Sequence, residues 1–447
     1  MAAVGLGISL MLASCGDDKN DKADSTTTTT AAAGGTTTTT SGATAVAPGD
    51  NGGRKTGDGE LVLGAVLPQT GNLAQLGPPM ISGAEMAERD INAGGGVNGK
   101  PIRLIVKDDG GKANDALAAS NADELINNDK VDGIVGAAAT STTQAIVDKV
   151  TSGGTVECSP SNTGTNLTKI DDKGLFFRTP PVDDLQAQAL AKAISDDGRQ
   201  NVAIIAQNSD YGTGFVDYLK PALEKNGAKV VADVTYEADG TGIDAEVTKA
   251  VASEPDSIVL IGYPEDGGKV LAELIKQGSG PADVPIYVTD GMQSNELYKA
   301  VDEKDPSVTE GIRGTAPSAA PTNGASFFPA AFKEFATDVE SPIYSAQSYD
   351  CVIIMALAAE KSGSDAPFDI AKELINVTKG ETADAEKCDT YAKCVALLKE
   401  KKDINYEGAS GSLDFNEWGE PSAGQYEVYT YLADGTYKVD ETVDIGK

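Results

Sequence analysis

Short apolar strands alternating with amphipathic helices, in two successive sets of similar layout, predict an α/β protein built on two doubly wound parallel sheets. Three observations carry this. From Glu60 onward the alternation is almost unbroken; the strands are continuous apolar runs, as expected of sheets covered on both faces; and 447 residues, 40% hydrophobic and 23% charged, are enough chain for two separate cores.

In the first set the strands are Leu61 to Leu67, Pro101 to Lys107, Gly133 to Val135 and a strand at Thr155, with helices over Ile81 to Asn92, Ala113 to Asn127 and Ser141 to Val150. The second set follows Leu175–Pro181. Its strands are Asn201 to Ala206, Lys229 to Tyr236, Ser257 to Tyr263 and Pro285 to Val288, and its helices include Leu185 to Ser195, Gly214 to Lys225 and Gly267 to Lys276. A third stretch, Gly311 to Ala409, reads mostly as helix (Phe327 to Thr337, Ser345 to Lys361, Phe368 to Val377, Lys393 to Lys401) and is expected to complete the first lobe. Beyond it, Gly411 to Gly419 and Tyr426 to Leu432 alternate with period two. Asp434-Gly435 supplies a hairpin turn, so the C-terminus is expected to be an antiparallel tailpiece.

Composition excludes several functions. A net charge of −32 is wrong for nucleic acid, whose phosphates need clustered Lys and Arg. There is no His, which removes the commonest general base and metal ligand and argues against catalysis. No catalytic residue, metal site or cofactor is expected. Gly94–Gly99 fits G-x-G-x-x-G, but it ends a helix and leads into a strand, the reverse of the dinucleotide-binding context, and is expected to be a helix stop and turn.

The N-terminus reads as an export signal. Val4 to Leu12 is apolar but too short to span a bilayer, and Leu12-Ala13-Ser14-Cys15 resembles the lipobox of bacterial lipoproteins, in which the Cys is acylated. Residues 16–59, with Thr runs at Thr26 to Thr30 and Thr36 to Thr40, are too polar to bury a core and are expected to form a tether. If flexible, about forty residues span roughly 35 Å. In an exported chain the four remaining cysteines suggest disulfides. Of three possible pairings, Cys388 with Cys394 closes a short loop and leaves Cys158 for Cys351; a metal site is the rival reading.

Candidate binding residues sit where the strands end. In a parallel sheet such turns lie side by side at the carboxyl edge, where ligands bind. Thr140 or Ser141 is expected to cap the helix after the third strand, turning free N–H groups toward an anion. Ser161 and Thr163 end the next strand; Tyr211, Tyr263 and Asp290 follow strands of the second set. Hydroxyls on one lobe facing aromatics and a carboxylate on the other read as a cleft for a small zwitterion.

Taken together, Leu67-Pro68-Gln69-Thr70-Gly71, Gly83-Ala84-Glu85 followed by Asp90 to Gly99, Asp108-Asp109, Thr140-Ser141-Thr142-Thr143-Gln144, Ser159-Pro160-Ser161-Asn162-Thr163, Phe177-Arg178-Thr179, Asp210-Tyr211-Gly212, Glu310-Gly311 and Gly411 to Phe415 resemble the branched-chain amino acid-binding proteins of bacterial ABC importers, which have the type I periplasmic-binding fold. The resemblance implies two lobes joined by three crossovers, near Thr179, near Gly311 to Thr315 and near Ser410. Lobe 1 would be 60–180 with 314–410, and lobe 2 would be 181–313 with 411–447. It implies that the Thr140 and Thr163 hydroxyls bind a ligand carboxylate, that the Ser161 carbonyl and Asp290 take its ammonium, and that Tyr211 and Tyr263 close over it. Leu76 stands where relatives often carry an aromatic, and Asp290 is shorter than the usual Glu. The implied protein is a monomeric receptor in the cell envelope, at the outer face of the cytoplasmic membrane or in the periplasm. It would be lipid-anchored through Cys15 and partnered by importer permease subunits. Alternatives are a receptor or sensor on the same fold for amides, urea, or aromatic or organic acids, and an enzyme on a two-lobed fold.

Overall fold

A computed structural model describes residues 56–111, 114–322 and 324–446. The expected leader, Cys15 and the Thr-rich stretch to residue 55 lie outside the described residues.

Two sheets organise the chain. The first is formed by β1 (Val62–Leu67), β2 (Arg103–Asp108), β3 (Gly133–Gly136), β4 (Val156–Ser159) and β5 (Phe176–Arg178), all parallel in the order β2-β1-β3-β4-β5. Helices α1 (Gly77–Ala93), α2 (Asp115–Glu124) and α3 (Thr140–Ser152) connect them. β1, β3 and β4 are buried at every position, which is why they read as unbroken apolar runs. α1 begins four residues before the expected Ile81, because Pro78 and Pro79 sit in its first turn, where a missing N–H costs nothing. The Gly94–Gly99 run ends it as a turn: Gly96 has φ +71°, and a Cβ there would meet the Lys100 carbonyl at 1.9 Å.

The chain then passes to α4 (Asp183–Asp196), β6 (Asn201–Gln207), α5 (Asp210–Lys225), β7 (Lys229–Tyr236), α6 (Ile243–Val251), β8 (Ser257–Ile261), α7 (Pro264–Lys276), β9 (Ile286–Val288), α8 (Lys299–Asp302) and β10 (Arg313–Pro317). The remaining elements are α9 (Phe328–Phe335), α10 (Ser345–Ser362), α11 (Pro367–Lys379), β11 (Glu386–Cys388), α12 (Tyr391–Lys399), β12 (Ile404–Gly408), β13 (Gly411–Ser412), β14 (Gly424–Tyr431) and β15 (Tyr437–Ile445). The second sheet runs β15-β14-β10-β9-β8-β6-β7, parallel from β10 to β7, with β14 and β15 antiparallel at one edge as the tailpiece pattern predicts.

Two crossovers differ from expectation. Arg313–Pro317 is a strand of the second sheet, so the chain leaves that sheet after Pro317 and not between Gly311 and Thr315. Gly411–Ser412 pairs with β12, so the third crossing falls between Ser412 and Gly424; beyond Ser412 the expected strand to Gly419 is a loop held by one bridge, Phe415 to Pro421. The first passage from one sheet to the other falls between Arg178 and Asp183.

The helical third stretch packs on the first sheet. α10 is buried from Ser345 to Ala359, wedged against α1 and α11. The cysteines pair as Cys158–Cys351, fastening β4 to α10, and Cys388–Cys394, fastening β11 to α12.

Candidate functional site

The carboxyl ends of β3 and β4 form one face of a cleft between the sheets. Gly136 turns the chain there with φ +128°, and a Cβ would lie 2.1 Å from the Val66 carbonyl, so only glycine fits. The turn after it is pinned from three sides. Ser159 Oγ donates to the Ala137 carbonyl at 2.8 Å, Asn162 Nδ2 to the Ala138 carbonyl at 2.8 Å, and Ala138 N–H donates to Asp109 Oδ2 at 3.1 Å. Burial pushes the Asp109 carboxyl up to about 7, against the two N–H donors that favour its charge.

That scaffold presents Thr140, Ser161 and Thr163. Ser161 Oγ donates to the Ala138 carbonyl at 2.9 Å, so its hydroxyl is engaged at home. Thr140 is the first residue of α3 and does not cap it: Ala139 is the capping residue, with no side-chain hydrogen bond, and Gly164 N–H donates to Thr140 Oγ1 at 3.3 Å. Ser141 is half-buried and lies outside the cavity lining. The expected Thr140 or Ser141 cap is thus replaced by a backbone entry. The physical reason is that Ala139 already has the extended conformation a capping position needs.

The second face is aromatic and acidic. Tyr211 is the second residue of α5 and Tyr263 precedes α7; their rings stack with centroids 5.4 Å apart. Asp290 follows β9 and is buried. It accepts hydrogen bonds from Tyr211 Oη at 2.7 Å, Gln186 Nε2 at 3.0 Å and Tyr344 Oη at 2.5 Å. Burial raises its carboxyl and the three donors oppose the rise.

Leu73, Leu76, Ala138, Thr140, Ser161, Thr163, Tyr211, Tyr263, Asp290, Gly291 and Tyr344 line one cavity. Six of the seven residues named from sequence therefore converge, and Ser141 does not. The cavity volume is only about 10 Å³, so the two faces stand nearly in contact.

Sequence reasoning missed Tyr344. It lies in the segment before α10, on the first-lobe side, and its backbone is left-handed at φ +60°, rare for a residue with a Cβ. No local motif announces it. Gln186 and Asp183, in the first turn of α4, were also missed; a polar pair one turn apart reads as an ordinary solvated helix start.

A model described as a periplasmic binding protein matches residues 60–390. This chain belongs to the periplasmic binding protein family. The binding protein is 26% identical to the leucine-, isoleucine-, valine-, threonine- and alanine-binding protein of Pseudomonas aeruginosa, over 83% of this chain and 89% of that one. It is also 26% identical to the chemotactic signal transduction substrate-binding protein BasB of Halobacterium salinarum, over 81% and 85%. The fold matches the branched-chain amino acid transporter substrate-binding protein LivJ of Streptococcus pneumoniae, solved with isoleucine. The TM-score is 0.69 with 25% identity, covering 87% of this chain and all (100%) of that one. The likeness runs to the branched-chain amino acid-binding members, as the sequence motifs suggested. Among the described residues no helix is long and apolar enough to cross a membrane.

Proposed function

We propose that this binding protein captures a small amino acid of the branched-chain type between its lobes, without transforming it, and delivers it to an ABC importer from the outer side of the membrane. The observation that carries the reading is convergence: neutral hydroxyls of Thr140 and Thr163 from one lobe, and Asp290 with two tyrosines from the other, line a single cavity. In this reading the two threonines hold the ligand carboxylate, the Ser161 carbonyl and Asp290 take its ammonium, and Leu73, Leu76 and Tyr344 enclose an aliphatic side chain. A cavity this tight does not admit an amino acid unless the lobes part, so capture proceeds by opening and hinge closure. Micromolar affinity needs about 8 kcal/mol, within reach of a few charge-assisted hydrogen bonds plus one buried side chain.

The similarity to BasB favours a second reading of the partner, a signalling receptor in place of permease subunits. Titration calorimetry against L-leucine, L-isoleucine, L-valine, urea, amides and small organic acids tests the ligand. Thr163→Ala is expected to weaken amino-acid binding about tenfold, the value of one hydrogen bond to a charged group, without lowering the melting temperature. Unchanged affinity in that variant, or heat only from ligands lacking an ammonium group, overturns the assignment.

A further inference from the structure

Beneath the cleft lies a carboxyl group to which ligand capture as described gives no role. Asp183 opens α4, is fully buried at 0% exposure, and donates its N–H to the Thr163 carbonyl at 2.9 Å. The Thr163 hydroxyl is the one side-chain donor beside it, and no well-formed hydrogen bond reaches either carboxyl oxygen. Three residues further along the same helical turn, Gln186 holds Asp290 at 3.0 Å. One turn of α4 therefore supports a group on each face of the cleft, and it sets two acids near each other.

We infer that Asp183 and Asp290 work as a pair that holds one proton, on Asp183, and releases it when a ligand ammonium enters the cleft. This rests on reading the ligand as an amine-bearing solute. The two carboxyls are unequally served. Asp290 meets three donors, which suit the ionised form, whereas Asp183 meets none of good geometry. Two neighbouring buried carboxyls do not both ionise without a cation between them. Burial and the Asp290 charge push Asp183 well up, and the Thr163 hydroxyl and Arg178 oppose this.

The other charged or titratable groups around Asp183 do not supply the missing cation. Arg178, at the end of β5, is committed to Glu420 at 2.5 Å, the Gly164 carbonyl at 2.7 Å and Thr168 Oγ1 at 2.6 Å. Asp184 beside it on α4 adds negative charge. Tyr211 of α5, Tyr263 before α7, Tyr344 before α10 and Tyr426 of β14 all face the pair as neutral phenols, raised by burial and by the same acids. An arriving ammonium displaces the Tyr344 hydroxyl from Asp290 and supplies the absent positive charge; the Asp183 proton then passes to solvent, one proton out for one cation in.

Titration calorimetry of the whole protein with L-leucine, near neutral pH in buffers of different ionisation enthalpy, reads the proton count directly. Wild type is expected to release close to one proton per ligand, with affinity rising up to about tenfold per pH unit through the titration. Asp183→Asn is expected to release none while staying within about fivefold of wild-type affinity, since Asn mimics the neutral carboxyl. As a check that needs no variant, difference infrared spectra of wild type should lose a protonated-carboxyl stretch on adding L-leucine. Binding without proton release, or release that survives in Asp183→Asn, overturns the pair while leaving the receptor reading intact. A folded protein that binds none of the amino acids but does bind an anion lacking an amine overturns the receptor reading itself, and the pair with it.

Discussion

The two faces of the cleft are built on opposite plans. The first-lobe face is made of small neutral groups fixed by backbone: Ser159, Asn162 and Asp109 hold the Ala137–Ala139 turn from three directions, and Cys158–Cys351 fastens the strand behind it to α10. The second-lobe face is made of large side chains held by one another: Tyr211 on Asp290, Gln186 on Asp290, Tyr211 against Tyr263. A face of the first kind keeps its shape whether or not the lobes meet. A face of the second kind depends on Asp290, which also reaches across the cleft to Tyr344. If the protein captures its ligand as proposed, the difference gives the two faces separate duties, with the first receiving the ligand and the second sensing that it has arrived.

The largest test of this contrast removes the centre of the second face. Asp290→Ala deprives a buried ammonium of its anion and is expected to cost about 4 kcal/mol, roughly a thousandfold in affinity by calorimetry. Thr140→Ala should cost only about tenfold, because neighbouring donors remain. Equal losses would abolish the distinction.

Opening the first-lobe anchor comes next. The double variant Cys158→Ser with Cys351→Ser removes a cross-link between residues 193 positions apart and should lower stability by about 3 kcal/mol in denaturant unfolding. The second-lobe network should be untouched, so Gln186–Asp290 contacts and tyrosine fluorescence stay as they were.

A smaller effect is read by pH, to which the buried acids of both lobes contribute in the same direction. Glu157 of β4 is fully buried with no well-formed hydrogen bond to either carboxyl oxygen, and burial followed by the charge of Asp172 raises it well above its free value, against the Ala137 N–H that favours its charge. Burial likewise pushes Asp350 to about 6 and Asp109 to about 7. All three lie on the first-lobe side, and their folded values exceed their unfolded ones. The folded state therefore binds more protons than the unfolded chain, so their contribution is full below about pH 4 and is lost as pH rises through the folded values. Melting temperature is expected to fall between pH 5 and 8, by about 3 °C for each kcal/mol, and Glu157→Gln should flatten part of that slope. A flat profile in wild type would show that these groups keep their ordinary values.

The smallest expected change is at the contact between faces. Tyr344→Phe removes the hydroxyl that competes with a ligand ammonium for Asp290 and should raise affinity about threefold. A loss of affinity would mean that the hydroxyl assists the ligand instead.

Much of this was legible in the sequence, for identifiable reasons. β1, β6 and β8 are long apolar runs with turns at both ends, and burial on two faces makes such runs conspicuous. β5 is only three residues long and β10 carries Gly314 and Pro317, so neither has enough of a pattern to declare itself; missing β10 moved the second crossover. The cleft residues at strand ends were legible because topology places all strand ends together. Tyr344 was not, since its place depends on a left-handed backbone at a non-glycine residue and on how α10 packs against α1. Asp183 was missed because its lack of a well-formed hydrogen bond is a property of the assembled cleft and leaves no trace in its neighbours along the chain.

Arg178 touches at once the Gly164 carbonyl, next to the cavity-lining Thr163, and Glu420 in the third crossover. In the proposed hinge closure these bonds would couple the opening angle to the position of the receiving loop, as crank and rod. A substitution at Glu420, outside the cavity lining, would then be a dial on affinity, and a lineage would have in it a route to retune capture for scarce or abundant nutrients while every side chain of the cavity stays the same.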